Sequence, residues 1–108
     1  MNTDVKKVTR ELIKFRDNRN WKQFHSLINL SRALGIEASE IEKIFLWKNN
    51  DMELRQKDKE HLKLEIADVL IYAFYMCEKL GSNPIDLMEQ KIKINKTRNW
   101  NFDKEDKE

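Results

Sequence analysis

Residues 62–81, LKLEIADVLIYAFYMCEKLG, decide the fold of this chain. Apolar side chains recur there at alternating intervals of four and three residues, which places them on one stripe of an α-helix. The members of that stripe are Leu62, Ile66, Val69, Ala73, Met76 and Leu80. Gly81 follows directly and suits the left-handed position at which many helices end. The segment therefore predicts a long amphipathic helix that ends at Gly81.

Three more helices are predicted around this segment by the same periodicity. A first helix, capped by Thr3 or Asp4, ends at the polar residues 16–20, and its stripe is Val5, Val8, Leu12 and Phe15. A second runs from Ser26 to about Phe45, with the stripe Leu27, Leu30, Leu34, Ile41 and Ile44. A fourth follows Asn83 as N-cap and Pro84 at its first position, with the stripe Ile85, Met88 and Ile92. Residues 48–60 have few apolar side chains and are expected to form a solvated connection or a frayed first helical turn.

The composition agrees with an all-α fold. The 108 residues include only 2 glycines and 1 proline, too few for the many tight turns of a β-sandwich or barrel. That length allows one domain, which we place at residues 1–100 with a polar tail at 101–108. The apolar fraction of 40% is low for a small domain, so we expect the four-helix bundle to be completed by oligomerisation.

Charge and cysteine content narrow the function classes. Lysine and arginine number 21 against 19 aspartates and glutamates, and they are interleaved, whereas nucleic-acid-binding domains cluster their basic residues. The single cysteine, Cys77, lies in an apolar run and is expected to be a buried thiol. The apolar run is too short for a membrane span, and the N-terminus does not resemble a signal peptide. We therefore expect a cytoplasmic protein that binds neither nucleic acid nor membranes.

Two pairs of carboxylates occupy unexpected positions on the second and third helices. Glu37 falls inside the apolar stripe of the second helix with Glu40 three residues later, and Glu65 and Asp68 repeat that spacing on the third. Residues three apart leave a helix on the same side, and burying several carboxylates together requires a cation. Oxygen ligands alone favour Mg²⁺ or Mn²⁺ over Zn²⁺. The competing interpretation is chance, because 37% of the residues are charged.

Other interpretations are less well supported. A ferritin-like di-iron site uses Glu-x-x-His pairs, and neither His25 nor His61 follows a glutamate at that spacing. A small DNA-binding protein would cluster basic residues on one helix, and the interleaved charges supply no such cluster. A non-catalytic helical interaction or regulatory protein would retain the bundle, but a degenerate homologue of an enzyme is expected to lose at least one of the four acids, and all four are present.

These acids and the residues around them resemble a known family. The motifs that show the resemblance are NWKQFH at 20–25, EASE at 37–40, Trp47 and EIADVLIY at 65–72. Together they resemble the MazG-like nucleoside triphosphate pyrophosphohydrolases, including the short single-domain branch of the dCTP pyrophosphatases. The resemblance implies an all-α enzyme that cleaves a (deoxy)nucleoside triphosphate between its α- and β-phosphates to clean nucleotide pools. It also implies a homodimer or homotetramer, without indicating which of the two or which base is preferred.

The resemblance also assigns residues to roles. Glu37, Glu40, Glu65 and Asp68 would hold Mg²⁺, with Mn²⁺ as a substitute, and either Glu37 or Glu40 would orient or deprotonate the attacking water. Substrate binding would fall to Trp21, His25, Trp47, Tyr72, Lys91, Asn95 and Arg98. The last three match a stretch that reaches the phosphates, although an ordinary basic helix end would look alike. Phe24 is expected to pack in the core, and Lys48 to be solvated.

Overall fold

A computed structural model describes residues 2–97, which contain four α-helices, two short 3₁₀ turns and no strand. The helices are α1 (Asn2–Asn18), α2 (Leu27–Ile44), α3 (Gln56–Lys79) and α4 (Pro84–Thr97). The 3₁₀ turns are Lys22–Phe24 and Asp51–Glu53. The predicted all-α class is thereby confirmed, while the predicted tail at 101–108 lies outside the described residues. None of these helices is both long and apolar enough to cross a membrane.

The helix ends show which local signals were predictive. The Ser26 hydroxyl accepts the Asn29 N–H at 3.0 Å and begins α2 where predicted. Gly81 has a φ of +68°, and the N–H of Ser82 reaches back to the Cys77 carbonyl at 2.9 Å, which closes α3 as expected. The Asn83 side chain accepts the Ile85 N–H at 2.8 Å at the start of α4.

One predicted helix start was wrong. Helix α1 begins at Asn2, before the expected caps, and Asp4 instead lies in its first turn, where a carboxylate is favoured by the helix dipole. Helix α3 begins at Gln56, so the end of the segment 48–60 forms its first turn, one of the two alternatives expected there. The Asp58 carboxylate accepts the Arg55 N–H at 2.9 Å and stabilises this polar first turn without apolar packing.

The core of the single chain is thin and lies between α2 and α3, which form the most extensive helix pair. Its buried apolar residues are Leu30, Ile44 and Tyr75, of which Leu30 is fully buried. Much of the predicted apolar stripe of α4 stays exposed, with Met88 at 52% and Ile92 at 51%. The radius of gyration is 17.1 Å, compared with about 13 Å for a compact domain of this size. One chain therefore leaves apolar helix faces uncovered.

Candidate metal and nucleotide site

The α2–α3 pair brings three of the predicted carboxylates together. Glu37 from α2 and Glu65 and Asp68 from α3 each offer an oxygen within 4.8 Å of the others, and each residue is half-buried. We call this group the acid triad. The i,i+3 spacing on α3 and the place of Glu37 within the apolar stripe of α2 produce the convergence, because both positions face the neighbouring helix.

The electrostatics of the acid triad show a negative charge that the described protein leaves uncompensated. A hydrogen bond to the Glu65 carboxylate, which only the protonated form of Glu37 can donate, raises the pKa of Glu37, and burial and the negative charge of Asp68 raise it further. The Glu65 Oε1 atom is buried and accepts no hydrogen bond from any described residue. An ionised carboxylate oxygen can only accept hydrogen bonds. A close contact between carboxylates is therefore stabilised by a shared proton or by a cation. Three converging carboxylates fit a hard divalent cation.

Glu40, the fourth predicted ligand, lies outside the acid triad. Its Oε2 atom accepts a hydrogen bond from the Lys43 ammonium at 3.1 Å, one turn later on α2. Glu40 is still near enough for its charge to contribute to the raised pKa of Glu37. In this arrangement the Glu40 carboxylate pairs with a lysine of its own helix and not with the other three acids.

Two cavities lined by aromatic side chains lie near the acid triad, and we call them together the aromatic cavity. An open cleft of about 420 Å³ is lined by Trp21, Phe24, His25, Asn29, Leu30, Ala33 and Tyr72. A more enclosed cavity of about 240 Å³ is lined by Leu12, Phe15, Trp21, His25, Asp68, Ile71, Tyr72 and Tyr75. Trp21, His25 and Tyr72, all predicted substrate residues, line both. Asp68 belongs both to the enclosed cavity and to the acid triad, so the two sites share this residue.

The 3₁₀ turn after α1 positions two of these aromatic side chains. The Trp21 N–H donates to the Arg16 carbonyl at 3.0 Å, and its ring meets the Phe15 ring edge-on at 5.4 Å. The centroid of the His25 ring lies 4.7 Å from the centroid of the Tyr75 ring. Burial and the positive charges of Arg16 and Lys79 lower the pKa of His25, so the neutral ring prevails and its buried Nδ1 has no hydrogen-bond partner among the described residues.

Other predicted site residues lie apart from these cavities in the single chain. Trp47 is 91% exposed and has a φ of +71°. Lys91 is exposed and Asn95 half-buried on α4, which packs against α1, and neither lines the cavities. Arg98 lies outside the described residues. The enclosed cavity, which is lined by Trp21, His25 and Tyr72, thus shares Asp68 with the acid triad, whereas the α4 residues line neither cavity.

Two expectations for neighbouring residues were wrong. Phe24 was expected in the core, yet it is 61% exposed and lines the open cleft, because its short 3₁₀ turn has no buried face. Lys48 was expected to be solvated, yet its side chain is only 19% exposed and lies 3.6 Å from the Asp58 carboxylate. That ion pair joins the loop after α2 to the first turn of α3.

Sequence reasoning missed the residues that hold the cavity from behind. Arg16 is 4% exposed, and its guanidinium donates at 3.0 Å both to Asp17 and to Glu78 of α3. The Tyr75 hydroxyl donates to the Leu12 carbonyl at 2.8 Å and joins α3 to α1. Tyr75 lies in the apolar run of α3, which indicated burial, but not on the predicted apolar stripe. The sequence offered no signal for Arg16, which lies in a polar stretch.

Residues 33–108 match the MazG-like family. Among curated proteins, dCTP pyrophosphatase 1 of Homo sapiens is 31% identical over 78% of this chain and 52% of its own length. The dATP/dGTP diphosphohydrolase of Cyanophage S-2L is 40% identical over 44% of this chain and 46% of its own. A crystal structure of a pyrophosphatase from Archaeoglobus fulgidus aligns with a TM-score of 0.78 and 33% identity, covering 83% of this chain and 86% of that one. The chain thus spans about half the length of these curated relatives.

Proposed function

This chain belongs to the MazG-like family, and we propose that it hydrolyses nucleoside triphosphates between the α- and β-phosphates. Water and the triphosphate would give a nucleoside monophosphate and pyrophosphate. The matched relatives are named for dCTP and for dATP and dGTP, which supports deoxynucleotides as substrates and a role in cleaning nucleotide pools.

The main observation in support of this proposal is that Asp68 belongs to two sites. Its side chain lines the aromatic cavity and also belongs to the acid triad. A nucleoside held in the cavity therefore has its phosphate chain next to the carboxylates. A binding protein for an uncharged aromatic ligand would have no use for three converging acids at that border, since their mutual repulsion destabilises the fold.

We propose that Glu37, Glu65 and Asp68 hold a divalent cation, Mg²⁺ or Mn²⁺, with Glu40 as a further ligand. When bound, such a cation neutralises phosphate charge and lowers the pKa of a coordinated water. The residues themselves supply the negative oxygens and the half-buried setting in which a cation is held strongly. The buried Glu65 Oε1, which no described group donates to, supports this assignment.

We propose that the cavity binds the nucleobase. Trp21 and Tyr72 offer rings for stacking, and His25, which lines both cavities, has ring nitrogens that can hydrogen-bond the edge of a base. Trp47, Lys91, Asn95 and Arg98 remain proposed substrate contacts. Because the first three lie apart from the cavity in one chain, their participation requires that assembly or substrate binding brings them to it.

We also propose that the protein is a homodimer or homotetramer. Apolar side chains more than half exposed occur on all of α2, α3 and α4, and include Ile28, Ile36, Leu64, Leu70, Met88 and Ile92. A stable monomer rarely exposes so much contiguous apolar surface. Light scattering should give two or four times the chain mass of 13.1 kDa, and a monomer at micromolar concentration would contradict the shared bundle.

The activity is tested by measuring pyrophosphate release from a panel of ribo- and deoxynucleoside triphosphates, with Mg²⁺, with Mn²⁺ and with excess EDTA. We expect pyrophosphate and monophosphate in equal amounts, metal dependence, and unequal rates across the bases. Release of inorganic phosphate would indicate cleavage at the γ-phosphate and contradict the proposed bond. Absence of any hydrolysis across the panel would contradict the enzyme assignment.

A further inference from the structure

His61 lies one turn before Glu65 on α3 and contacts the acid triad from its solvent side. Its Nε2 atom is 3.1 Å from the Glu65 Oε2 atom. The imidazole is 56% exposed, whereas the Glu65 side chain is only 16% exposed. Since a carboxylate oxygen only accepts hydrogen bonds, the ring nitrogen facing it carries the proton and donates it.

This contact makes the two oxygens of Glu65 unequal. Oε2 is held by His61, whereas Oε1 is buried and receives no hydrogen bond from the described residues. A carboxylate with one oxygen fixed by a donor cannot turn freely about its last bond. Oε1 is then the Glu65 oxygen that no described donor occupies.

We propose that His61 is a positioning residue for the metal site, whose Nε2–H fixes the Glu65 carboxylate so that Oε1 is presented to the cation. This inference rests on the proposed function, because it requires that Glu65 ligates a metal. His61 is not itself among the side chains whose ligand atoms lie within 4.8 Å of one another. Hydrogen-bonded partners of metal ligands commonly set their orientation and affinity.

Helix α3 contains an internal control for this contact. Gln56 donates from Nε2 to the Glu60 Oε2 atom at 2.9 Å, with the same four-residue spacing. Glu60 is 58% exposed and does not belong to the acid triad. The Gln56–Glu60 pair shows that a glutamine can hold a glutamate at this spacing, so His61→Gln should preserve the positioning. Gln56→Ala removes an equivalent helix contact away from the acids.

The test measures Mn²⁺ binding to the metal-free protein by titration calorimetry, without nucleotide. We expect His61→Ala to weaken the Mn²⁺ Kd by about tenfold, the lower end of the range for such partners because the imidazole is exposed. His61→Gln should stay within about threefold of the parent, and Gln56→Ala should match it. In the pyrophosphate assay, His61→Ala should need more Mn²⁺ for half-maximal rate, with kcat restored at saturating Mn²⁺.

Thermal melting of the metal-free variants separates positioning from helix stabilisation. His61→Ala and Gln56→Ala should melt alike, since each loses one exposed contact of the same spacing. Equal Mn²⁺ affinity in His61→Ala and the parent would overturn the proposal, as would an equal loss in Gln56→Ala. A parent protein that binds no Mn²⁺ would instead contradict the metal site itself.

Discussion

Arg16 and the acid triad both bring charge into partly buried places between helices, but only Arg16 is neutralised by its own chain. The Arg16 guanidinium, at 4% exposure, has two carboxylates at 3.0 Å, one of which reaches across from α3. The acid triad has three carboxylates and a raised pKa at Glu37, and Glu65 Oε1 has no donor among the described residues. A buried charge that the chain compensates is costly to unpair, whereas one left uncompensated requires a proton or a cation.

The largest expected effect comes from removing one charge from the acid triad. Glu65→Gln should lower nucleotide turnover by on the order of a hundredfold or more, because a cation ligand is lost. The metal-free variant should be at least as stable as the parent, because repulsion within the triad falls. Pyrophosphate release and metal-free melting are the two measurements.

Glu60→Gln is the matched control for that change, since Glu60 is an exposed carboxylate on the same helix outside the triad. It should leave turnover unchanged. A Glu65→Gln protein that is fully active, or one that unfolds without metal, would place the acid triad with Arg16 as a structural feature.

Adding the missing positive charge should have the next largest effect. Saturating Mg²⁺ or Mn²⁺ should stabilise the folded parent, by about 2.7 kcal/mol when the free metal is a hundred times its Kd. The measurement is urea unfolding at constant ionic strength, with and without metal. The same stabilisation in Glu65→Gln would show that the cation binds somewhere other than the acid triad.

Breaking the compensated charge should affect stability alone. Arg16→Met keeps much of the side-chain volume but removes the link to Glu78, and should lower the free energy of unfolding by about 2 kcal/mol. That is below the usual cost of breaking a buried pair, because Asp17 and Glu78 remain partly hydrated. Arg10→Met, an exposed position on the same helix, should change stability by less than about 0.5 kcal/mol. A stabilisation by saturating Mn²⁺ that differs between Arg16→Met and the parent would contradict the separation of the two regions.

The same contrast explains how far the sequence predicted this structure. Periodicity and caps predicted α2 and the end of α3, since Ser26 and Gly81 act through local hydrogen bonds. The acid pairs predicted that α2 and α3 pack together, because residues three apart on a helix project from the same side. Arg16 was missed since its partner Glu78 is distant in sequence. The sequence did not indicate that Trp47 is exposed, because the loop after α2 has no periodicity that shows which side chains face solvent.

The smallest expected effect is on pH dependence, and it concerns the positive surroundings of His25. Burial, then Arg16 and Lys79, lower the pKa of His25 in the folded chain. The unfolded chain therefore takes up a proton first as pH falls through the ordinary histidine range, and stability is lost there.

Glu37, whose folded pKa is raised, acts with the opposite sign and gains stability as pH falls. The comparison is therefore made in a Glu37→Gln background, where urea midpoints at pH 7.5 and pH 5.5 are compared with and without His25→Gln. Asp58, whose pKa is lowered mainly by the Arg55 N–H, loses its contribution only at more acidic pH. We expect His25→Gln to reduce the loss of stability between the two pH values, and Arg16→Met to reduce it in part by removing one of the two positive charges. An unchanged pH dependence in both variants would mean that the positive charge of Arg16 does not reach the cavity.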